Sequence, residues 1–367
     1  MRRVLLALLP CVAGAIYFFG WRSLAMVLVS GAVGFGVEYF FTRRRGEPVT
    51  EAVFVTTTIF ALILPPTVPW HVLVIGVVFA VLFTKEIFGG FGRNFFNPAM
   101  AGRCFVYVCF PVAMTAVWAP AGEGLWGALD RWSTVAPPSG PATVRPSDRS
   151  VPAPAPSDVP VLAPPRVPQA VTGATPMAYL KQGRLLLVSE ESGATEAPFE
   201  IPEDQTVRVN RLAFWRELFL GRLSGTTGVT SVLLILIGGL YLFYTKTASR
   251  TIIVTLILTY AILSQVLHLF GVPPVPSGLT ALLGGGFLFG AFFMATDPIS
   301  APKTEWGRIF YAIIIGVCTV VIRNFSIFNG GLMFAILIGN MFAPVIDYGV
   351  RARAAGRSPK KVAGAAG

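Results

Sequence analysis

The sequence predicts an all-α integral membrane protein. Ten transmembrane helices form two inverted five-helix repeats, with a polar insertion between them on the outer face. Three observations carry this reading. The 367-residue chain is 54% hydrophobic and only 13% charged, whereas average soluble proteins carry about a quarter charged residues. Its apolar residues fall in ten runs near the ~20 residues that a bilayer-crossing helix requires. Short motifs from the first half return in the second at a similar spacing.

The first five runs are 4–20, 23–42, 51–65, 70–88 and 97–118; the second five are 228–245, 251–270, 277–296, 308–322 and 328–349. The chain therefore divides into a first membrane repeat (1–118), a polar insertion (119–227), a second membrane repeat (228–350) and a basic tail (351–367). The start, MRRVLLALLPCVAG, has the charged and apolar parts of a signal peptide, but its apolar run continues to Phe19 and reads as a first helix. Pro10 stands where lipoprotein cleavage before Cys11 wants a small residue. The first half of the insertion, PPSGPATVRPSDRSVPAPAPSDVPVLAPPRVP, is Pro-rich and reads as an extended linker. Cys11, Cys104, Cys109 and Cys318 all sit in apolar runs without metal-like spacing, so they read as small hydrophobes and no metal site is expected.

Charge sets the orientation. The net charge of +11 comes from Arg and Lys beside the apolar runs, which is where topology signals belong, and not from a nucleic-acid-binding patch. With the N-terminus cytoplasmic, the inside loops receive Arg2, Arg3, Arg43, Arg44, Arg45, Lys85, Arg93, Lys246, Arg250, Lys303 and Arg308. The tail with Arg351, Arg353, Arg357, Lys360 and Lys361 also lands inside, and the outside short loops keep only Arg22 and Arg323. Both termini are thus expected in the cytoplasm, and the insertion, entered after five spans, on the outer face.

The repeat is visible in two pairs of motifs. LILPPTVPW (62–70) precedes GRNFFNPAMAG (92–102), and FFMATDPIS (292–300) precedes IRNFSIFNGGLMFA (322–335). Repeats of five spans must have opposite orientations, and paired broken helices in such repeats build sites near the midplane. In GGFGRNFFNPAMAGR, Asn94 and Asn97 offer donors and acceptors suited to the edge of a flat imide-bearing ring. They suit equally the capping of broken helices and the joining of neighbouring spans. Acidic residues in or beside spans are few: Glu38, Glu86, Asp297 and Asp347. Each is a functional candidate because an uncompensated charge in lipid is costly. Asp297, in the second broken helix, suits a ligand site; Glu38 and Asp347 lie near cytoplasmic ends and suit cation entry or interfacial anchoring. His71 and His268 read as structural.

Gly-Ala-Thr occurs twice in the insertion. In TGATPMAYLKQG, Thr175 precedes Pro176, and Gly183 closes the run, so Thr N-cap, Pro at the first helical position and a terminal Gly predict a short helix. No Asp or Glu occurs between Asp158 and Glu190, while Arg166, Lys181 and Arg184 are near. This segment welcomes an anion such as phosphate. In ESGATE, Thr195 has Glu190, Glu191 and Glu196 around it and follows RLLLVS, a predicted strand, so it reads as a turn between strands.

KEIFGGFGRNFFNPAMAGRCF, TGATP and FFMATDPISAP, in this order, resemble the RnfD/NqrB family, which comprises the D subunit of the Rnf electron-transport complex and the B subunit of the sodium-pumping NADH:quinone oxidoreductase. The likeness runs from the first span to Asp347 and fails only in the Pro-rich linker. It implies FMN held by a phosphoester to the last Thr of Thr172-Gly173-Ala174-Thr175, attached by a separate flavin transferase on the outer face of a bacterial inner membrane. It further implies a second, non-covalent riboflavin contacted by Thr56, Asn94, Asn97 and Asp297, and a cation pathway through Glu38 and Asp347. The family's Asp three residues before the motif is Gln169 here, and the Glu of its GxxGExS segment is Val229 in GTTGVTS. Neither an NADH-binding glycine motif nor an iron–sulfur cysteine cluster occurs, so partner subunits of an Rnf- or Nqr-type complex are expected, with no catalytic side chain of the chain's own. The N-terminus looks more like the Rnf subunit, and the membrane motifs look at least as much like the quinone reductase. The competing expectation is a stand-alone inverted-repeat transporter or channel.

Overall fold

In lipid every backbone N–H and C=O needs a partner within the protein, so long apolar runs become helices. The structure, a computed structural model, describes residues 1–115, 118–122, 124, 126–133, 176–188, 206–284, 286–326, 328 and 330–357. Thr172, Gly173, Ala174 and Thr175, together with Gln169 and Thr195, lie outside the described residues.

The first half contains α1 (Arg2–Phe19), α2 (Trp21–Arg45), α3 (Ala52–Leu62), α4 (Trp70–Val81), α5 (Pro98–Cys109) and α6 (Pro111–Thr115); a π-helical turn, Leu82–Glu86, extends α4. The insertion contributes α7 (Pro176–Lys181), β1 (Leu185–Val188), β2 (Val207–Asn210) and α8 (Arg211–Leu220). The second half contains α9 (Val232–Tyr244), α10 (Arg250–Leu269), α11 (Gly278–Leu283), α12 (Phe287–Phe289) with a π-turn at Gly290–Met294, α13 (Glu305–Phe325) and α14 (Gly331–Arg357).

Among the described residues five helices, namely α1, α2, α10, α13 and Gly331–Ala354 of α14, are long and apolar enough to cross a membrane. The other predicted spans are shorter or interrupted. The eleven residues of α3 rise about 16 Å, roughly half the hydrocarbon thickness. The fifth run breaks at Phe110, because Pro111 disfavours the helical region for the residue before it. The eighth is cut at Gly284 and Gly286, the latter with φ of +68°. Leu6, Leu28, Phe40, Ile237, Leu258, Val317 and Val345 are exposed along helix faces, as lipid-facing residues must be.

The halves are joined by α1 packing on α9 and by α5 packing on α14. Small residues allow the closest approaches. A Cβ on Gly102 of α5 would stand 3.1 Å from the Gly76 carbonyl oxygen of α4 and 2.7 Å from Ala80 Cβ.

The broken segments satisfy one another. Where α3 ends, the Leu62 carbonyl accepts from Gly228 N (2.8 Å), and the Leu64 carbonyl accepts from Thr227 N (3.0 Å) and Thr227 Oγ1 (2.7 Å). GTTGVTS therefore closes the first break. At the second break the Met294 carbonyl accepts from Asn97 Nδ2 at 3.1 Å. Each half supplies the polar group that the other half's interrupted helix lacks.

The predicted strand in RLLLVS is present: within the insertion β1 pairs in parallel with β2, Leu185 opposite Val207, while ESGATE lies outside the described residues. One expectation requires correction. Lys85 and Arg323, assigned to opposite loops by the charge count, are both buried.

Candidate functional site

Two cavities occupy the interior where the halves meet. The larger, about 350 Å³, lies beneath α7 and is lined by Met100, Arg103 and Tyr107 of α5, Met177 and Gln182 from the α7 segment, and Arg323 of α13. Among the described residues, no Asp or Glu lines it. Arg103 Nε is buried without a hydrogen-bond partner among the described residues, an arrangement that is costly unless an anion or polar ligand completes it. Arg323 Nη1 donates to Tyr260 Oη at 2.9 Å. Val229, which stands in the place of the family's Glu, also faces this cavity and packs against Gly286.

Lys181 fastens α7 to the membrane half. Its Nζ donates to the Arg323 carbonyl at 2.8 Å and to the Ser326 carbonyl, neutralising the C-terminal end of α13. Burial first, and then the Arg323 charge, lower its pKa from the usual lysine value. Tyr179, Leu185, Val209, Phe214 and Leu218 form a small apolar core above it. Trp215 Nε1 ties that core to Thr280 of α11 at 2.9 Å. Lys181→Met is expected to destabilise the insertion by about 1 kcal/mol, since a partly exposed ammonium is screened by water. Limited proteolysis of the intact membrane protein will show faster cleavage in the insertion and unchanged cleavage elsewhere.

The second cavity, about 180 Å³, brings together Thr56 of α3, Asn94 and Asn97 of the segment before α5, and Asp297 after the second π-turn. Lys85, Phe91 and Thr296 line it too. Asn97 is the N-cap of α5: its Oδ1 accepts from Met100 N at 3.3 Å, and Pro98 occupies the first helical position. Asn94 Nδ2 donates to the Phe96 carbonyl at 3.1 Å. Asp297 accepts from Ser300 Oγ (2.8 Å) and Ile299 N (3.4 Å). Capping and cavity lining thus coexist at Asn97, which keeps one amide hydrogen and one lone pair beyond these bonds. Along the start of α5, Asn97, Pro98 and Ala99 face the second cavity, whereas Met100 and Arg103 face the first. Met100 and Met294 line the first cavity just beyond the Asn97–Met294 contact.

The two acidic candidates near helix ends have similar partners. Glu38 Oε1 accepts from Thr50 N (3.0 Å) and Thr50 Oγ1 (2.7 Å), just before α3. Asp347 Oδ1 accepts from Thr304 N (3.1 Å) and Thr304 Oγ1 (2.6 Å) at the start of α13, and its Oδ2 accepts from Lys303 N (2.8 Å). Both carboxylates bridge a long helix to a Thr that begins another. They differ in their cations: Glu38 is fully buried against Lys85 Nζ at 2.5 Å, while Asp347 is only loosely approached by Arg351 at 3.8 Å. Glu86, the remaining acidic candidate, is buried and paired with Arg45, and its Oε1 lacks a partner among the described residues.

Sequence reasoning missed Lys85, Arg103 and Arg323. The π-turn decides Lys85: its wider winding buries the consecutive Thr84, Lys85 and Glu86. The sole sequence signal was a Lys-Glu pair embedded in a long apolar run.

A profile of the NQR2, RnfD, RnfE family matches residues 1–356. The chain is 34% identical to the B subunit of the Na(+)-translocating NADH-quinone reductase of Chromohalobacter salexigens, over 92% of its own length and 66% of that protein's. It thus spans slightly less than two thirds of that relative. Against the D subunit of the ion-translocating oxidoreductase complex of Shewanella amazonensis the identity is 32%, over 97% of this chain and 93% of the relative. The corresponding reductase B subunit of Ectopseudomonas mendocina is 33% identical, with 92% and 68% covered.

Proposed function

The chain belongs to the NQR2, RnfD, RnfE family, and from that premise we propose that it is the flavin-carrying membrane subunit of an ion-translocating redox complex. FMN esterified to Thr175 would supply the one-electron chemistry between NADH- or ferredoxin-side partners and quinone or NAD. The observation that carries this reading is the cavity beneath α7, lined by two arginines and, among the described residues, by no carboxylate; α7 starts one residue after Thr175.

The residues of that cavity fit a flavin phosphate. Two guanidiniums, Arg103 and Arg323, supply positive charge, the orphaned Arg103 Nε offers a donor, and Tyr107, Trp118, Phe289 and several Met supply apolar and polarisable surface. Bound FMN contributes one-electron chemistry; the protein contributes position and electrostatics. The second cavity suits a smaller polar contact set, and in this reading Thr56, Asn94, Asn97 and Asp297 hold a non-covalent riboflavin. Its place against the Met100–Met294 layer, with the first cavity beyond, supports passage between two flavins.

The finer architecture follows the same reading. The short and interrupted helices complete ten membrane passages in two inverted repeats, with both termini cytoplasmic and the insertion on the outer face of the inner membrane. There a flavin transferase reaches the TGAT motif. Glu38 and Asp347 serve the translocated Na+ or H+. The relatives' names place them in multi-subunit complexes, and the missing NADH and iron–sulfur motifs support the same for this chain.

The test is covalent. Co-expressed with a flavin transferase and run on a denaturing gel, this subunit is expected to fluoresce as a flavoprotein band. A dark band would leave a flavin-free transporter or scaffold in place of this reading.

A further inference from the structure

Lys85 contacts the Glu38 site and also lines the second cavity. Its ammonium sits 2.5 Å from Glu38 Oε2 and 3.0 Å from Thr50 Oγ1. Thr50 also donates both its backbone N–H and its hydroxyl to Glu38 Oε1. Carboxylate and hydroxyl oxygens are donors that a hard cation takes. The side chains of Glu38 and Lys85 are 1% and 4% exposed, so neither charge is neutralised by bulk water.

The ammonium also has somewhere else to go. Lys85 shares the second cavity with Asp297 and Phe91, and its Nζ already stands 5.7 Å from the centre of the Phe91 ring, within cation–π range. Turning toward the cavity exchanges one carboxylate and hydroxyl for an aromatic face and the Asp297 side. Arg45 cannot take its place at Glu38, because it is held by Glu86 and Glu47 on the neighbouring pair. Once Lys85 leaves, Glu38 is a buried, uncompensated carboxylate, a costly state that is relieved when a proton or another cation takes the place of the ammonium.

We propose that Lys85 is a tethered cation that occupies the Glu38–Thr50 site, and that an alkali-metal cation fills this site when the ammonium turns to the second cavity. Negative charge arriving in that cavity draws Lys85 away from Glu38, so the two sites exchange charge through one side chain. This rests on the reading of Glu38 as part of the ion pathway. It adds the competitor that controls when that site is open.

The experiment uses the purified complex with its partner subunits, in sodium chloride and in choline chloride at equal ionic strength. Lys85→Met removes the competitor and leaves the oxygens. Its melting temperature is expected to rise in sodium relative to choline by clearly more than the wild type's does, and the Glu38→Gln/Lys85→Met double variant is expected to lose that difference. Equal melting in both salts for Lys85→Met would mean that no alkali-metal cation replaces the ammonium and would overturn the proposal.

Lys85→Arg covers the case in which Lys85→Met does not assemble. A guanidinium holds the carboxylate by two bonds and stays charged, so the sodium concentration for half-maximal turnover is expected to increase by about tenfold; an unchanged value overturns the proposal. Failure of the underlying reading looks different. Glu38→Gln would then assemble with its sodium dependence unaltered, whatever the Lys85 variants show.

Discussion

Thr175→Ala is expected to abolish the covalent flavin outright. A phosphoester needs the hydroxyl oxygen and no neighbouring group can replace it, so in-gel flavin fluorescence should fall to background while the protein band persists. Thr175→Ser keeps the nucleophilic oxygen and is expected to retain fluorescence. Thr195→Ala is expected to match the wild type, because Glu190, Glu191 and Glu196 surround Thr195 with like charge against a phosphate. A bright band from Thr175→Ala would move the attachment elsewhere. With attachment lost, electron transfer through the purified complex should fall with it, while the subunit is expected to remain assembled.

Gly238→Leu is the second large effect, and it acts on the fold. Gly238 of α9 meets α1 at the backbone: a Cβ there would lie 2.0 Å from the Ala7 carbonyl oxygen and 3.0 Å from Phe293 Cζ. A carbonyl of a regular helix cannot rotate away as a side chain can. The two helices must therefore separate, stripping the face of α1 that buries Ala7, Leu8, Cys11 and Ala15. Overpacking of this kind costs about 1–3 kcal/mol for a small addition and more against rigid backbone, so Gly238→Leu is expected to lose more than ~3 kcal/mol and to yield little folded protein by size exclusion. Gly36→Ala, on α2 with nothing within 4 Å of an added Cβ, is the control and should purify normally. Equal yields from the two variants would refute the close α1–α9 crossing.

Both predictions draw on different depths of the sequence. Apolar length alone located α1, α2, α10, α13 and α14, since a bilayer's thickness translates directly into residues. The signature of α7 was equally local: Pro at its first position and Gly183 after its end, where φ is +70°. Asn94, Asn97 and Asp297 stood out as polar residues in broken apolar segments and Thr56 by resemblance alone, and the four line one cavity although they are spread from residue 56 to 297. Composition could not have grouped them. The grouping depends on two helix breaks that close on each other, through Thr227 and Gly228 at one and Asn97 at the other.

Charge was read least well, for a physical reason. A Lys or Arg at the edge of an apolar run resembles an interfacial anchor, and counting it as such sets topology. Whether the side chain points to water or inward is decided by helix phase, and one π-turn changes that phase for Lys85 and Glu86 together. Arg323 is inward for a related reason: Tyr260 of α10 reaches its guanidinium, and Lys181 takes the carbonyl behind it.

By itself, the sequence determined that this is a helical membrane protein of this family, that a long polar segment separates its apolar runs, and which Thr stands in an anion-friendly, carboxylate-poor setting. Those properties are local sums of hydrophobicity, charge and turn chemistry. Only the tertiary structure decided that the interrupted helices complete one another, that two cavities adjoin across the start of α5, and that Lys85 lies between a buried carboxylate and one of them. Each of those depends on distant segments meeting, and in a buried site of low dielectric the partner a charge meets governs what it can do.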